Sequence, residues 1–169
     1  MNLTVRPKRG GFLRIVSCGL FIRDFLLGLE PYGSPRVNPN TGTYQSFIFK
    51  QYKLALMRTS SEDQAIRTEE SIARREGRRI DPDNIDKLIK EFYSRMTYKA
   101  HGCRYHSFIT YFSMVQKLLW VESTGETEAS HFQGKFSEGQ PRVYFRLTEK
   151  GRKAPDLQWR NPHRTLYRR

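Results

Sequence analysis

Apolar residues follow a helical period in the first hydrophobic stretch of the chain. Within Phe12–Glu30, one stripe consists of Ile15, Gly19, Ile22, Leu26 and Leu29. Leu20, Phe21 and Phe25 add a second apolar flank, and a helix with two such flanks needs burial on more than one side. The pattern predicts a helix over Phe12–Glu30. We expect its apolar part, Phe12–Leu29, to pack on the core, on a protein partner or on a second copy of the chain.

Residues 31–43 predict a loop because they contain three prolines and two glycines. The next segment, Tyr44–Arg58, fits a helical face and strand alternation about equally well, and we favour a helix. A serine pair followed by two acids at 60–63 predicts the start of a separate, mostly polar helix. That helix is expected to end near Glu76, where a glycine follows and basic residues precede.

Two stronger helical patterns follow. Asp81 and Pro82 predict a helix start, with an N-cap side chain and a proline at the first helical position. Apolar residues then recur at helical spacing: Ile85, Leu88, Ile89, Phe92 and Met96. After a break at 97–102, a second helix is predicted over about Arg104–Leu118. Its apolar stripe consists of Tyr105, Phe108, Ile109, Phe112, Val115 and Leu119.

A two-stranded β-ribbon is predicted after the second helix. Leu118–Glu122 has the composition of a short strand, and the polar residues 124–140 form a connecting loop with three glycines. In the return strand, Val143, Phe145 and Leu147 alternate with polar residues, which gives one apolar and one polar face. Two helices joined by a turn can place the second helix in the DNA major groove, and a ribbon beside them forms a wing.

Two stretches of this region, "YFSMVQKLLWVESTGE" and "PRVYFRLTEKGRK", carry a family resemblance. Their distinctive residues are Val121, Glu122, Tyr144 or Phe145, Leu147, Thr148, Gly151 and Arg152. Over about residues 81–153, the chain resembles winged helix-turn-helix proteins of the MarR and PadR types. The resemblance implies a recognition helix, a wing and DNA binding. The chain departs from that pattern after the wing, where Pro155 and Pro162 limit helix length. It also departs in the wing loop, which is long and contains Glu126, Glu128 and Glu138 alongside Lys135 and, at its edge, Arg142.

The charge of the chain is large and unevenly distributed. Its 169 residues have a net charge of +13, which favours an anionic partner. Lys and Arg outnumber Asp and Glu by nine to two in residues 1–60 and by six to one in residues 151–169. In residues 61–150 the numbers are nearly equal, at fifteen to fourteen. We therefore predict a mostly α protein with a small β-wing. A basic leader, an apolar helix and a loop occupy 1–43, a helical region with the winged-helix core occupies 44–153, and a basic tail occupies 154–169.

Candidate nucleic-acid contacts lie in three places. Opposite the apolar stripe of the second helix lie His106, Thr110, Ser113 and Lys117, with Ser107 at the edge of this face and Arg104 at its N-terminal flank. Such polar side chains can reach base edges or phosphates, although a merely solvated face is the alternative. The wing offers Lys135 and Arg142. The C-terminal region adds Arg152, Lys153, Arg160, Arg164, Arg168 and Arg169. Trp159 and Tyr167 are interleaved with these cations, as suits base stacking; a disordered tail is the alternative.

Sites for catalysis, metals or cofactors are not expected. His101, Cys103 and His106 are possible zinc ligands, but a fourth ligand at suitable spacing is missing. The acids at 81–86 are explained by a helix start. Neither a Gly-rich phosphate loop nor a nucleophile motif occurs in the sequence. The two cysteines, Cys18 and Cys103, indicate free thiols in a reducing compartment.

The sequence therefore predicts a non-catalytic nucleic-acid-binding protein, with DNA ahead of RNA as the partner, and specifically a winged-helix DNA-binding regulator. The alternative is a structural subunit of a larger nucleoprotein assembly, in which the winged helix packs on protein. The near balance of charge in 61–150 favours this alternative. A membrane span is not expected because Arg14, Arg23 and Asp24 interrupt the apolar stretch. We expect a cytoplasmic or nucleoid-associated protein; the acid-free first 23 residues leave organelle import as an alternative.

Overall fold

The computed structural model describes residues 16–98, 103–128 and 142–168. These residues are mostly helical, with a small antiparallel sheet of three strands, which confirms the predicted mostly α class. The helices are α1 (Cys18–Leu26), α2 (Gln45–Glu76), α3 (Pro82–Arg95), α4 (Tyr105–Lys117), α5 (Glu149–Lys153), α6 (Asp156–Arg160) and α7 (Pro162–Tyr167). The strands are β1 (Thr43–Tyr44), β2 (Val121–Glu128) and β3 (Arg142–Leu147).

The chain divides into two compact units. In the described part of the chain, the hairpin unit contains Val16 and residues 53–98, and the sheet unit contains residues 17–52, 103–128 and 142–168. Helix α2 is shared, since the boundary falls between Tyr52 and Lys53. This division differs from the predicted one. Helices α3 and α4, which the sequence pairs in one helix-turn-helix, belong to different units.

The core of the sheet unit is built largely from aromatic side chains. The ring centroids of Phe21 and Tyr52 are 5.4 Å apart, and those of Phe108 and Phe112 are 6.0 Å apart. Phe112 meets the sheet through Phe145, with an edge-to-face contact at 5.1 Å. Offset and edge-to-face geometries of this kind are the favourable ones for aromatic pairs. Helices α1, α2 and α4 and strand β3 therefore all contribute to one core.

The sheet has the strand order β1-β3-β2, with β3 in the centre. Thr43 pairs with Phe145, Val121 pairs with Leu147, and the register shifts between Ser123 and Thr127. The return strand is confirmed as β3. Strand β2 extends six residues beyond the predicted end at Glu122, and the rest of the predicted wing loop, 129–141, lies outside the described residues.

Helix α1 is shorter than the predicted Phe12–Glu30 helix. Its described part begins after the N-cap residue Ser17, whose hydroxyl accepts a hydrogen bond from the amide of Leu20, and residues 12–15 lie outside the described range. Phe21, Ile22, Phe25 and Leu26 are fully buried in the chain. The helix contacts α4, α6 and β3 within the sheet unit. The apolar surface on which the expected partner contact depends is therefore used inside this unit.

Helix α2 replaces two predicted helices with one. The serine and threonine side chains near position 60 do not cap a new helix. The hydroxyl of Ser61 donates to the carbonyl oxygen of Arg58 at 2.8 Å, and that of Thr59 donates to the carbonyl oxygen of Ala55 at 2.9 Å. Hydroxyls that bond back to the preceding turn are compatible with a continuous helix. The prediction of a separate helix start at 60–63 is therefore wrong.

The hairpin unit is fixed at both ends of α3. Asp81 caps α3 as predicted, accepting the amide of Asp83 at 3.0 Å. At the same end, the buried carboxylate of Glu69 accepts bonds from Arg78, from the amide of Asp81 at 2.8 Å and from Asn84 at 2.6 Å. Beyond the other end of α3, the ammonium of Lys53 lies 4.3 Å from the ring centroid of Tyr98. These contacts place α3 antiparallel to the part of α2 that belongs to this unit, residues 53–76.

Candidate nucleic-acid interface

Helix α4 presents a polar face to solvent because its apolar side chains anchor it in the core. Phe108, Phe112 and Val115 are fully buried, at a spacing that puts them on one face of the helix. On the opposite face His106, Thr110 and Lys117 are exposed. The sequence prediction of this polar face is confirmed in its geometry.

The buried face of α4 is rotated slightly from the predicted stripe. Tyr105 and Ile109, predicted to be buried, remain exposed, while Tyr111 is half-buried. The hydroxyl of Tyr111 donates to the carbonyl oxygen of Trp159 at 3.1 Å. Burial raises the pKa of this phenol well above its usual value. Phe108, Tyr111, Phe112 and Val115 recur at helical spacing, so the buried face of α4 could have been predicted from the sequence.

The polar side chains of α4 differ in their exposure to solvent and in whether they already form a hydrogen bond within the protein. Arg104 is the exposed N-cap residue and makes no side-chain capping bond, and Ser107 is also exposed. The hydroxyl of Thr110 donates to the carbonyl oxygen of His106 at 3.0 Å, so it is already engaged by its own helix. Ser113 is half-buried. Of the six predicted contact residues on α4, Arg104, His106 and Lys117 are therefore the most accessible to a ligand.

The C-terminal segment is folded into α6 and α7, which rules out the alternative of a disordered tail for residues 155–168. Trp159 in α6 is fully buried, and its ring centroid lies 4.5 Å from that of Trp120. Its indole nitrogen donates to the carbonyl oxygen of Gly151 at 3.0 Å. Trp159 is therefore a core residue, and the prediction that it stacks on nucleic-acid bases is wrong.

Close backbone approaches hold this segment in place. A Cβ atom at Gly19 would collide with the carbonyl oxygen of Trp159, and a Cβ atom at Gly151 would collide with that of Trp120. The hydroxyl of Thr148 caps α5 by accepting the amide of Gly151 at 3.0 Å. An ion pair between Arg23 and Asp156 adds a further contact and lowers the pKa of that carboxyl.

The basic residues of the C-terminal segment remain on the surface and adjoin α4. Arg152, Lys153, Arg160, Arg164 and Arg168 are all exposed, and α7 contacts α4. Lys153 pairs with Glu149 at 3.1 Å. Lys117, Arg164 and Arg168 form no ion pair with any residue in the described ranges. Arg169, the last predicted contact, lies outside the described residues.

Two acid-free segments meet on this side of the sheet unit. Residues 103–121 contain no Asp or Glu, and neither do residues 157–169. The first segment contains α4, and the second contains α7 and most of α6. We call the exposed cations and histidines of these two segments the α4–α7 surface: Arg104, His106, Lys117, Arg160, His163, Arg164 and Arg168. Asp156, just before the second segment, pairs with Arg23 and also interacts electrostatically with Arg160. The positive potential of Lys117, Arg164 and Arg168 is not cancelled by an ion pair within the described ranges.

The β-ribbon has a different electrostatic character. The guanidinium of Arg142 lies 4.5 Å from the ring centroid of Tyr44, a cation–π contact that the sequence did not indicate. Arg146 pairs across the strands with Glu122 at 2.9 Å. Glu126 is exposed on β2 as well. The predicted wing contact Lys135 lies outside the described residues.

Potential metal ligands are scattered in the described ranges. Among those residues, no three His, Cys, Asp or Glu side chains come together in a group that could hold a metal ion. Cys103 is buried, with its Sγ 3.3 Å from the carbonyl oxygen of Arg104, and His106 is exposed on α4. His101 lies outside the described residues.

No helix in the ranges 16–98, 103–128 and 142–168 is long and apolar enough to cross a bilayer. Comparisons of the chain with protein-family models, with curated proteins and with solved structures gave no match.

Proposed function

We propose that the protein is a non-catalytic nucleic-acid-binding protein whose sheet unit is a winged-helix module that binds duplex DNA through the α4–α7 surface. One observation carries the proposal. Two acid-free segments that are distant in sequence pack together through α4 and α7, and both carry exposed cations. Lys and Arg arranged in this way supply the phosphate contacts that dominate DNA affinity.

The order of elements supports the winged-helix part of the proposal. In the sheet unit, α1, β1 and the first part of α2 are followed, after the hairpin unit, by α4 and by the ribbon of β2 and β3. Helix α4 precedes the ribbon and exposes a polar face, as a helix that enters the major groove must. On this proposal, the helix before α4 in the module is the first part of α2, and the hairpin unit is an insertion between them.

The acids of the ribbon limit how DNA can approach. Glu122 and Glu126 are exposed on β2, and a phosphate close to them would be repelled. We therefore place the DNA backbone against α4 and α7, with β2 turned away from it. On this geometry Arg160, Arg164 and Arg168 contact phosphates, and Arg104 and His106 are the side chains closest to base edges.

The alternative is a structural subunit of a nucleoprotein assembly, in which α4 packs on protein. It is favoured by the exposed apolar side chains Tyr105, Ile109 and Leu119, the last of which is 63% exposed. Exposed apolar side chains on this helix and just after its end suit a protein contact as well as contact with a thymine methyl group. The two functions differ in whether the isolated chain binds duplex DNA.

Salt dependence of binding tests the proposal directly. Fluorescence anisotropy of a labelled duplex, at a series of salt concentrations, gives the slope of log K against log salt. The variant Lys117→Gln/Arg164→Gln/Arg168→Gln is expected to lose about 0.9 in that slope for each phosphate interaction removed, so roughly 2–3 in all. The same three substitutions should leave the fold intact because all three side chains are exposed.

A matched control removes three charges elsewhere. Arg74→Gln/Lys87→Gln/Lys90→Gln alters exposed residues of the hairpin unit and is expected to leave the slope unchanged. Equal slopes for the wild type and the α4–α7 variant would contradict the proposed surface. Failure of the wild type to bind any duplex, together with retention of binding to a protein or RNA component in a purified native complex, would favour the structural alternative.

A further inference from the structure

The hairpin unit carries apolar surface that its two helices do not bury. Helix α3 has large apolar residues at helical spacing, yet no residue of this fully described helix is buried. Nearby, Ile66 is 41% exposed and Ile80 is 46% exposed. On α2, Met57, Ala65 and Ala73 are buried, so the accessible apolar surface of the unit lies on α3 and at Ile66 and Ile80. Two amphipathic helices expose such surface unless further helices complete the bundle.

The charges of the same unit suit a second copy of the chain. Residues 53–98 contain ten Lys and Arg against nine Asp and Glu, so they lack the excess of positive charge found in the rest of the protein. Along α3 the charges are also separated. Residues 81–86 contain three acids and no base, whereas residues 87–95 contain three bases and one acid. When two copies of α3 lie antiparallel, the acidic half of each faces the basic half of the other.

We infer that the hairpin unit is a homodimerisation surface, on which a second copy packs with its α3 antiparallel to the first. An antiparallel pair of identical helices is related by a two-fold axis, so both copies use the same patch and the assembly closes. The four helices of two hairpins bury the side chains that one hairpin leaves open. The inference does not depend on nucleic-acid binding, because none of its residues belongs to the α4–α7 surface.

Charge reversal on the two halves of α3 provides the experiment. One variant, Asp83→Lys/Asp86→Lys, makes the acidic half basic, and the other, Lys87→Glu/Lys90→Glu, makes the basic half acidic. All four positions are exposed, and their side chains form no ion pair within the described hairpin unit. Each variant by itself places like charges opposite each other in the dimer, whereas a mixed dimer of the two variants restores opposite charges at both ends.

The measurement is sedimentation equilibrium of the full chain over a range of concentrations, with circular dichroism to verify helical content. The wild type is expected to dimerise, and each variant to dimerise about tenfold more weakly or worse. An equimolar mixture should recover the affinity of the wild type, which a simple loss of helix stability could not produce.

Three results would overturn the inference. The wild type could remain monomeric at every concentration, or the mixture could dimerise no better than the separate variants. The third result would show that residues 1–15 of the same chain, and not a second copy, cover this surface. If their deletion converted a monomeric wild type into a dimer or increased amide exchange in α3, the occupant would be part of the same chain.

Discussion

Trp159 illustrates how a residue near the end of a basic segment can belong to the core. Its indole is fully buried against Trp120, its ring nitrogen donates to the carbonyl oxygen of Gly151, and its own carbonyl oxygen accepts from Tyr111. Replacement of a buried tryptophan by alanine removes the packed ring and leaves a cavity. Trp159→Ala is therefore expected to destabilise the sheet unit by about 3–5 kcal/mol.

Urea denaturation followed by the fluorescence of Trp120 measures this loss. The control is Leu157→Ala in the same short helix, because Leu157 is 80% exposed and its truncation should change stability by less than about 0.5 kcal/mol. If the two variants had the same midpoint of unfolding, Trp159 would not contribute to the core.

Glu69 makes the stability of the hairpin unit depend on pH. Hydrogen bonds from Arg78 and Asn84 and from the amide of Asp81 hold the pKa of Glu69 at about 2, below its ordinary value of 4.5. A carboxyl with a lowered pKa in the folded state stabilises the fold fully above 4.5. That contribution is lost as the pH falls from 4.5 towards 2, because the unfolded chain then binds the proton more readily.

The variant Glu69→Gln is expected to be less stable at neutral pH and to show a flatter dependence of stability on pH in that window. Amide hydrogen exchange in α3, measured at several pH values, reports the stability of this unit. Glu62→Gln serves as the control, because Glu62 is exposed on the same helix. An unchanged pH dependence in the Glu69 variant would mean that other carboxyls control the acid sensitivity of the hairpin.

At the scale of elements, the sequence predicts best where a local signal coincides with a strong period. The start of α3 follows from Asp81 and Pro82, and α4 and β3 follow from their apolar spacing; all three are confirmed. The continuity of α2 could not be predicted in this way. Ser61 is as suitable for an N-cap as for an intrahelical bond, and only the three-dimensional structure determines which it makes.

The C-terminal segment could not be predicted from local patterns either. Pro155 and Pro162 limit helix length, but each also begins a short helix: Pro155 is the residue before α6, and Pro162 is the first residue of α7. The burial of Trp159 depends on Trp120 and Gly19, which are distant in sequence. The residues around Trp159 alone therefore do not predict that it is buried. The polar face of α4 was predictable because it depends on the helical period alone.

The polar face of α4 is expected to determine sequence preference more than overall affinity. In the variant Arg104→Ala/His106→Ala/Thr110→Ala, binding to a duplex selected from a random pool should weaken by about 1–3 kcal/mol for each base that the protein no longer recognises. Binding to an unselected duplex should change much less. The selected and unselected affinities are measured at one salt concentration.

Three exposed polar residues of the hairpin unit provide the control, as Gln64→Ala/Ser71→Ala/Thr97→Ala. This variant should keep the preference of the wild type for the selected duplex. If the α4 variant also kept that preference, base recognition would lie elsewhere in the protein.

At the scale of the whole molecule, one C-terminal segment contributes both positive charges to the surface and a side chain to the core. Residues 155–168 supply Arg160, Arg164 and Arg168 to the surface, and they supply Trp159 to the core. A binding surface made on short helices is held at a fixed distance from α4, which a flexible tail would not provide. Deletion of the whole segment therefore removes core side chains together with the surface cations.

Truncation tests whether the segment is part of the fold. Removal of residues 155–169 deletes Trp159, the acceptor of the Tyr111 hydroxyl and the partner of Arg23. The buried tryptophan alone is worth about 3–5 kcal/mol, against about 5–15 kcal/mol for the total stability of a typical domain. We expect the truncated sheet unit to be unfolded or marginally stable, with loss of the near-ultraviolet circular dichroism of its aromatic core.

Removal of only Arg168 and Arg169, which follow α7, should leave that signal unchanged and reduce only the salt slope of DNA binding. A truncated protein with the midpoint of unfolding of the wild type would place α6 and α7 outside the cooperative core.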